Sequence, residues 1–258
     1  MTFALPHFST DLTGQTALVT GASSGLGARF SRVLAACGAK VVLAARREER
    51  LEKLAAEIRA KGGRAETVKL DVSNADECVE TIGHIERAHG LVSILINNAG
   101  VPDAQHATKL PLDKIDLVFD TNLRAPFVLA CEVARRLIAA KKPGRVVNIA
   151  SMSAFEYSGG GAALYSITKA GIVRLTEVLA VEWAKFGINV NGIAPGVVES
   201  EMTDGMFLRM GDGMVKGFPR NRIGDVAHLD GVLLFLVSPS SEFITGTIIK
   251  ADDGQGAR

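Results

Sequence analysis

Tyr165 and Lys169, four residues apart in Tyr165-Ser166-Ile167-Thr168-Lys169, fall on one face of a helix. An ammonium beside a phenol stabilises the phenolate, so such a pair can move a proton at neutral pH. The same spacing also occurs on solvated helix faces, and its companions decide its meaning. Ser151 closes the strand-like run Arg145 to Ala150, and Thr20-Gly21-Ala22-Ser23-Ser24-Gly25-Leu26-Gly27 follows another apolar run. Both lie where a strand would end, which is where open α/β sheets build their sites.

Positioning these groups requires a sheet. Short β-branched runs alternate along the chain with longer amphipathic stretches, the pattern of strand, crossover helix and parallel strand. Thr16 to Thr20, Lys40 to Ala44, Ala65 to Lys69, Val92 to Ile96, Arg145 to Ile149, Asn189 to Ile193 and Ile248 to Ala251 read as strands, mostly continuous apolar runs that suit a sheet covered on both faces. Gly25 to Cys37, Glu48 to Lys61, Ala75 to His89, Lys114 to Ala140, Ala162 to Lys185 and Val226 to Val237 carry helical spacing, with Gly or Pro at most ends. The expected fold is α/β, a doubly wound Rossmann-type parallel sheet of about seven strands with helices on both faces. Right-handed crossovers put its crevice beyond the carboxyl ends of the strands.

With 258 residues, 47% hydrophobic and 22% charged, the chain can bury a full core and is expected to form one domain, 1–258, with an N-terminal extension at 1–12. A net charge of +1 leaves no basic field for nucleic acid. Residues 1–12 carry neither Lys nor Arg nor a long apolar core, unlike a secretory signal, and no later segment is an uninterrupted apolar span. A cytoplasmic protein with no membrane partner is expected. Cys37, Cys78 and Cys131 lie in apolar surroundings without Cys-x-x-Cys spacing, which reads as buried free thiols and not as a metal site.

Between a strand and a helix, Gly21, Gly25 and Gly27 permit a tight turn and close backbone approach while the helix N-terminus faces a pyrophosphate. The end of the second strand reads the cofactor type. A carboxylate there would bond the ribose 2′-hydroxyl of NAD(H), but the chain runs Val42-Leu43-Ala44-Ala45-Arg46-Arg47. A guanidinium offers forked donors to a phosphate, so NADP(H) is favoured over NAD(H), with Arg46 as its reader. Arg47 is assigned instead to the exposed start of the next helix.

Taken together, Thr20-Gly21-x-x-x-Gly25-x-Gly27, Asn97-Asn98-Ala99-Gly100, Ser151, Tyr165-x-x-x-Lys169 and Pro195-Gly196 resemble, in order and spacing, the short-chain dehydrogenase/reductase family in its branch of short single-domain subunits. The resemblance covers nearly the whole chain. It implies that Ser23, Ser24 and Leu26 share the glycine loop's contacts with a dinucleotide, that Asp71 meets the adenine amine with Val72 beside it, and that Asn98, Ala99 and Gly100 wall the adenosine side and prop the central sheet. Asn122 in Asp120-Thr121-Asn122-Leu123 would interrupt its helix and hold a relay water through its backbone carbonyl. Ser151 would hydrogen-bond the substrate carbonyl, with Ser153 as the alternative. Pro195, Gly196, Val198 and Ser200 would contact the nicotinamide, with Ser200 where the family usually has Thr. Asp253 stands where the family commonly has Gly, a departure that bears on the C-terminal turn. A homotetramer is implied, packed through the long helices around Lys114 to Ala140 and Ala162 to Lys185.

The resulting expectation is an enzyme that reduces a ketone, or oxidises a secondary alcohol, with Tyr165 as general acid/base. The Lys169 charge is expected to draw the phenol from about 10 toward working pH. Met202, Met206 and Phe207 open an apolar stretch, also rich in Gly, that suits a substrate lid at 197–220 over an apolar carbonyl compound. Tyr157, with Gly161 four residues on, lacks a lysine partner and reads as a pocket or loop residue. Two other readings stand beside this one: an NAD-linked secondary alcohol dehydrogenase, and a dinucleotide-sensing protein without turnover.

Overall fold

The structure, a computed structural model, describes residues 8–103, 105–157, 159, 161–203 and 215–256. Its strands are β1 (Thr16–Thr20), β2 (Lys40–Ala45), β3 (Arg64–Lys69), β4 (Ile94–Asn97), β5 (Gly144–Ile149), β6 (Ile188–Pro195) and β7 (Ile248–Ala251). They form one seven-stranded sheet in the order β3-β2-β1-β4-β5-β6-β7, and every neighbouring pair is parallel. From β1 the chain steps outward through β2 and β3, then returns to place β4 on the other side of β1. That reversal opens a crevice between the carboxyl ends of β1 and β4.

The period-two alternation of the strands sends their side chains into two separate cores. Ala17 and Val19 of β1, with Val41 and Leu43 of β2, join one core with α1 (Gly25–Ala36), α2 (Glu48–Ala60) and α7 (Asp230–Val237). Leu18 and Val42 join the other, with α3 (Ala75–His89), α5 (Ala125–Ala139) and α6 (Ala163–Trp183). Because both faces are covered, the strands read as continuous apolar runs. At the start of α3, Asn74 accepts from the backbone N–H groups of Asp76 and Glu77, which satisfies two of the helix's free donors.

The expected fold is the one observed, but three local expectations need correcting. The stretch Lys114 to Ala140 is not one helix: α4 (Leu112–Phe119) passes through a π turn, Asp120–Arg124, into α5. Pro126 has no N–H to give the Asn122 carbonyl four residues before it, and the Ala125 N–H reaches back to the carbonyl of Asp120. The N-terminal extension ends sooner than expected: Leu12 is buried and donates its N–H to the Cys37 carbonyl at 2.7 Å. Residues 1–7 lie outside the described residues. Of the three thiols, only Cys78 is fully buried, and burial pushes its pKa up to about 12. No helix among the described residues is long and apolar enough to cross a membrane.

Phe30 on α1 is fully buried against the sheet. Phe30→Ala should cost about 3–5 kcal/mol in urea unfolding, and a loss below about 1 kcal/mol would mean that α1 does not close that core.

Candidate active site

A cavity of 620 Å³ runs along the carboxyl ends of the central strands, lined by the glycine loop, Arg46, Asp71, Asn98, Ser151, Tyr165, Lys169, Gly196 and Met202, among others. The glycine loop is built by close approach. Gly21 has φ +65°, and a Cβ on Gly27 would collide with the Gly21 carbonyl and lie 2.6 Å from Asn98 Nδ2. Only glycine therefore lets α1 begin this close to the end of β1. Ser23, Ser24, Gly25 and Leu26 complete the loop on the cavity wall.

Across the crevice, Asn98 stitches β4 to this loop. Its Nδ2 donates to the carbonyls of Thr20 (2.9 Å) and Gly21 (3.4 Å). In return, Thr20 Oγ1 accepts from the N–H groups of Asn98 and Ala99 at 3.0 and 3.1 Å. The preceding residue braces the sheet as well: Asn97 Nδ2 donates to Asn148 Oδ1 at 2.9 Å, and Asn148 Nδ2 to Thr176 on α6 at 2.9 Å. Gly100 lies close to Asn122 and Lys169. Asp71 also lines the cavity, and its carboxylate accepts from the N–H and hydroxyl of Ser73. Val72 lies beside it.

The proton-handling groups converge at the end of β5. Tyr165 and Lys169 lie on one face of α6, with Nζ 5.5 Å from the ring centre. The Ser151 hydroxyl bonds the phenol, and Ser151 Oγ also accepts from the Ser153 N–H at 3.1 Å. Of the two candidate serines, Ser151 lines the cavity and Ser153 does not. Lys169 is buried and donates to the Ile149 carbonyl at 2.7 Å. Asn122, buried in the π turn, accepts from Val101 N–H and donates to Val101 O at 2.8 and 2.9 Å. Its Nδ2 also reaches Thr168 Oγ1 at 3.3 Å, so its side chain fastens the turn to α6 one residue before Lys169.

The electrostatics differ from expectation. Burial raises the Tyr165 pKa, the Ser151 hydrogen bond draws it down, and the Asp103 carboxylate raises it further. Burial acts on the ammonium too and lowers the Lys169 pKa to about 8.

Pro195 and Gly196 end β6, and Val198 and Ser200 continue along the cavity. This segment is clamped by Gln255, whose Oε1 accepts from the Val197 N–H at 2.6 Å, and its base pairs with a distant strand-like residue, Val198 with Gly224. At the C-terminal turn, Asp253 has φ +54° and pairs with Arg222 at 2.6 Å and Arg220 at 3.1 Å. Met202 lines the cavity, while Tyr157 is half exposed and off its wall. Met206 and Phe207 lie outside the described residues.

Sequence reasoning passed over two features. Arg47 does not merely open α2: it crosses to the glycine loop, donating to Ser23 Oγ and Ser24 Oγ, both at 2.9 Å, and to Glu201. Arg46 lines the cavity and makes no hydrogen bond or ion pair to the described residues. The other feature is Asp103, buried in the loop after β4, whose Oδ2 accepts from Leu164 N–H at 2.9 Å and Tyr165 N–H at 3.4 Å. It supplies the cap that Ala162, at φ +68° with no capping side chain, does not. An acid in Val101-Pro102-Asp103 was visible, but its partners are 61 and 62 residues away.

Two outcomes follow for these groups. The chain has two tyrosines, so in a Tyr157→Phe background the phenolate absorbance reports Tyr165 alone. Asp103→Asn should move that titration to lower pH, and an unmoved curve would remove Asp103 from the site's electrostatics. For Lys169, the folded pKa of about 8 lies below the ordinary 10.5, so between those values the unfolded state holds more protons and stability rises with pH. The melting temperature of Lys169→Met, taken relative to the unmodified chain, should therefore fall between about pH 8 and 10.5.

Residues 15–210 match the family described as short chain dehydrogenase. Gluconate 5-dehydrogenase of Gluconobacter oxydans is 36% identical over 245 residues, covering 94% of this chain and 95% of that protein. The 3-oxoacyl-acyl-carrier-protein reductase FabG of Rickettsia bellii is 33% identical over 245 residues, covering 95% and 98%. A solved gluconate 5-dehydrogenase from Burkholderia cenocepacia, in complex with NADP and tartrate, aligns with a TM-score of 0.89 at 33% identity, covering 95% of this chain and 96% of that one. With its sheet order, glycine loop and Tyr165-Lys169 pair, this chain belongs to the short-chain dehydrogenase/reductase family of oxidoreductases.

Proposed function

We propose that this protein is an NADP(H)-dependent oxidoreductase that interconverts a ketone and a secondary alcohol, with Tyr165 as the proton donor and acceptor. The observation that carries the reading is the meeting of the Tyr165 phenol, the Ser151 hydroxyl and Lys169 at the end of β5, inside the crevice that the glycine loop opens. The residues present fit a dinucleotide: the Gly21–Gly27 approach would be filled by any side chain, and α1 presents its N-terminus there. Gly21, Ser23, Ser24, Gly25, Leu26 and Gly27 would hold its phosphates, Asp71, Val72, Asn98, Ala99 and Gly100 its adenosine, and Lys169, Pro195, Gly196, Val198 and Ser200 its nicotinamide half. Bound there, such a cofactor supplies or accepts the hydride.

The chain's own groups manage the proton. A phenol raised by burial is protonated at neutral pH, so Tyr165 enters the reductive direction ready to donate to the carbonyl oxygen as the carbon takes the hydride. Ser151 donates a second hydrogen bond to that oxygen, stabilising the negative charge as it develops. Proton donation leaves a phenolate 5.5 Å, measured from the ring centre, from the Lys169 Nζ, and the ammonium stabilises it more strongly in a site that excludes water. Asn122 holds the π turn against α6 and so keeps Lys169 in place.

Cofactor preference follows from charge at the end of β2. No acid stands at Ala45, and Arg46 presents a guanidinium at the cavity wall; the relative from Burkholderia cenocepacia was solved with NADP. For the substrate, Met202 on the cavity supports an apolar carbonyl compound. The activities for which the relatives are named, on gluconate and on 3-oxoacyl groups, share a secondary alcohol or ketone of two different polarities. The chain as one domain and as a homotetramer belongs to the same reading, supported by Phe127 on α5 and Val178 and Val181 on α6, all exposed in the isolated chain.

Consumption of NADPH should be followed with aliphatic, cyclic and aromatic ketones, a 3-oxoacyl thioester and keto-sugar acids. Turnover should favour NADPH over NADH, and Tyr165→Phe should lower kcat roughly 10²- to 10⁴-fold. Preference for NADH would move the reading to an NAD-linked alcohol dehydrogenase, and tight NADPH binding with no turnover on any substrate would move it to a dinucleotide sensor.

A further inference from the structure

Glu201 lies in the segment after β6, yet its carboxylate reaches across the mouth of the crevice to residues 151 and 154 positions away. Its Oε2 accepts from Arg47 Nη1 at 3.0 Å and Nη2 at 3.1 Å, and its Oε1 pairs with Arg50 Nη1. The Ser24 hydroxyl adds a further hydrogen bond. The same Arg47 guanidinium holds Ser23 and Ser24 on the glycine loop. Two guanidiniums and a hydroxyl of the phosphate-facing loop therefore converge on one anion that the chain itself provides.

The chemistry of this cradle suits a phosphate better than a carboxylate. Forked guanidinium donors and hydroxyls match three oxygens and a charge near −2. Glu201 offers two oxygens and one charge. Arg47, Arg50 and Glu201 side chains are each about half exposed, at 44%, 49% and 49%, so their ion pairs are weak and exchangeable. Arg46, without a partner among the described residues, stands at the same wall.

We propose that Glu201 is an internal competitor for the arginines of the glycine-loop mouth: a 2′-phosphorylated dinucleotide must displace its carboxylate from Arg47 and Arg50, whereas an unphosphorylated one need not. Glu201 is then a specificity-determining residue that tempers discrimination between NADPH and NADH. The inference rests on the NADP(H) reading above and deepens it, since it assigns Arg47 and Arg50 to the phosphate together with Arg46 and identifies what opposes the first two.

The test is binding, not turnover. The intact protein and Glu201→Gln are titrated with NADPH and with NADH, each followed by the fluorescence of the reduced nicotinamide. Glu201→Gln should bind NADPH roughly 5- to 10-fold more tightly and change NADH affinity by less than about twofold. In a background carrying both Arg47→Gln and Arg50→Gln the same substitution should give no gain, because both contested groups are gone. Unchanged or weaker NADPH binding by Glu201→Gln would overturn the proposal and make Glu201 an organiser of the arginines, and equal tightening of both cofactors would overturn it as well. The unmodified protein's own NADPH-to-NADH ratio tests the cofactor reading separately. A gain for NADPH in a protein that favours NADH keeps the competitor and discards the preference; no gain in one that favours NADPH does the reverse.

Discussion

Everything in this molecule depends on how closely the chain can pack where β1 ends. The Thr20 hydroxyl accepts two backbone N–H groups from the end of β4, and the Asn98 amide returns two hydrogen bonds to the backbone of Thr20 and Gly21. This exchange leaves no room for a side chain on Gly27. It satisfies backbone groups that the reversal of strand order would otherwise leave without a ladder partner. It also sets the width of the crevice, because the two strands on either side of the switch are tied at their ends. A larger residue at Gly27 would separate α1 from β1, and the loop that α1 presents would move with it.

A second constraint is the burial of the proton-handling groups. Tyr165 and Lys169 are held on α6 by contacts that are far apart in sequence: Asp103 at the helix N-terminus, Asn122 through Thr168, and the Ile149 carbonyl at Nζ. Removing these groups from water raises the phenol above its ordinary value of 10.0 and lowers the ammonium from 10.5 to about 8, so the phenol becomes the tighter holder of its proton. The arrangement is also costly to the fold, since a charged lysine in the interior is poorly solvated. The π turn at Asn122 is another irregularity kept at this place, and it follows from a proline one turn later.

At the opposite end of the crevice the physics is that of a wet surface. Arg46, Arg47, Arg50 and Glu201 are exposed or half exposed, so their interactions are weak singly and readily rearranged. One end of the crevice is therefore stiff and desolvated, where bond making needs fixed geometry. The other is polar and exchangeable, where a charged group must enter and leave.

Much of the fold was legible in the chain itself. Parallel strands buried on both faces must be apolar throughout, crossover helices must be amphipathic, and both patterns are local, so the seven strands and their order of appearance could be read directly. The same holds for the glycine loop and the Tyr165-Lys169 pair, because short spacings on one helix or one turn are set by backbone geometry. The break at Asn122 was implied by the family resemblance and is also written locally, in Pro126, although the amphipathic pattern by itself reads as one long helix. Asp103 capping α6, Asn97 propping the sheet, Gln255 clamping the segment after β6 and Glu201 meeting Arg47 and Arg50 were not legible in this way. Each joins residues that only the sheet order brings together, and an acid or amide in a loop or at a strand end carries no mark of a partner 50 or more positions distant. The pKa directions at Tyr165 and Lys169 belong to the same class: sequence supplied the opposite charges, but burial, which only the tertiary packing creates, determined which way each group moved.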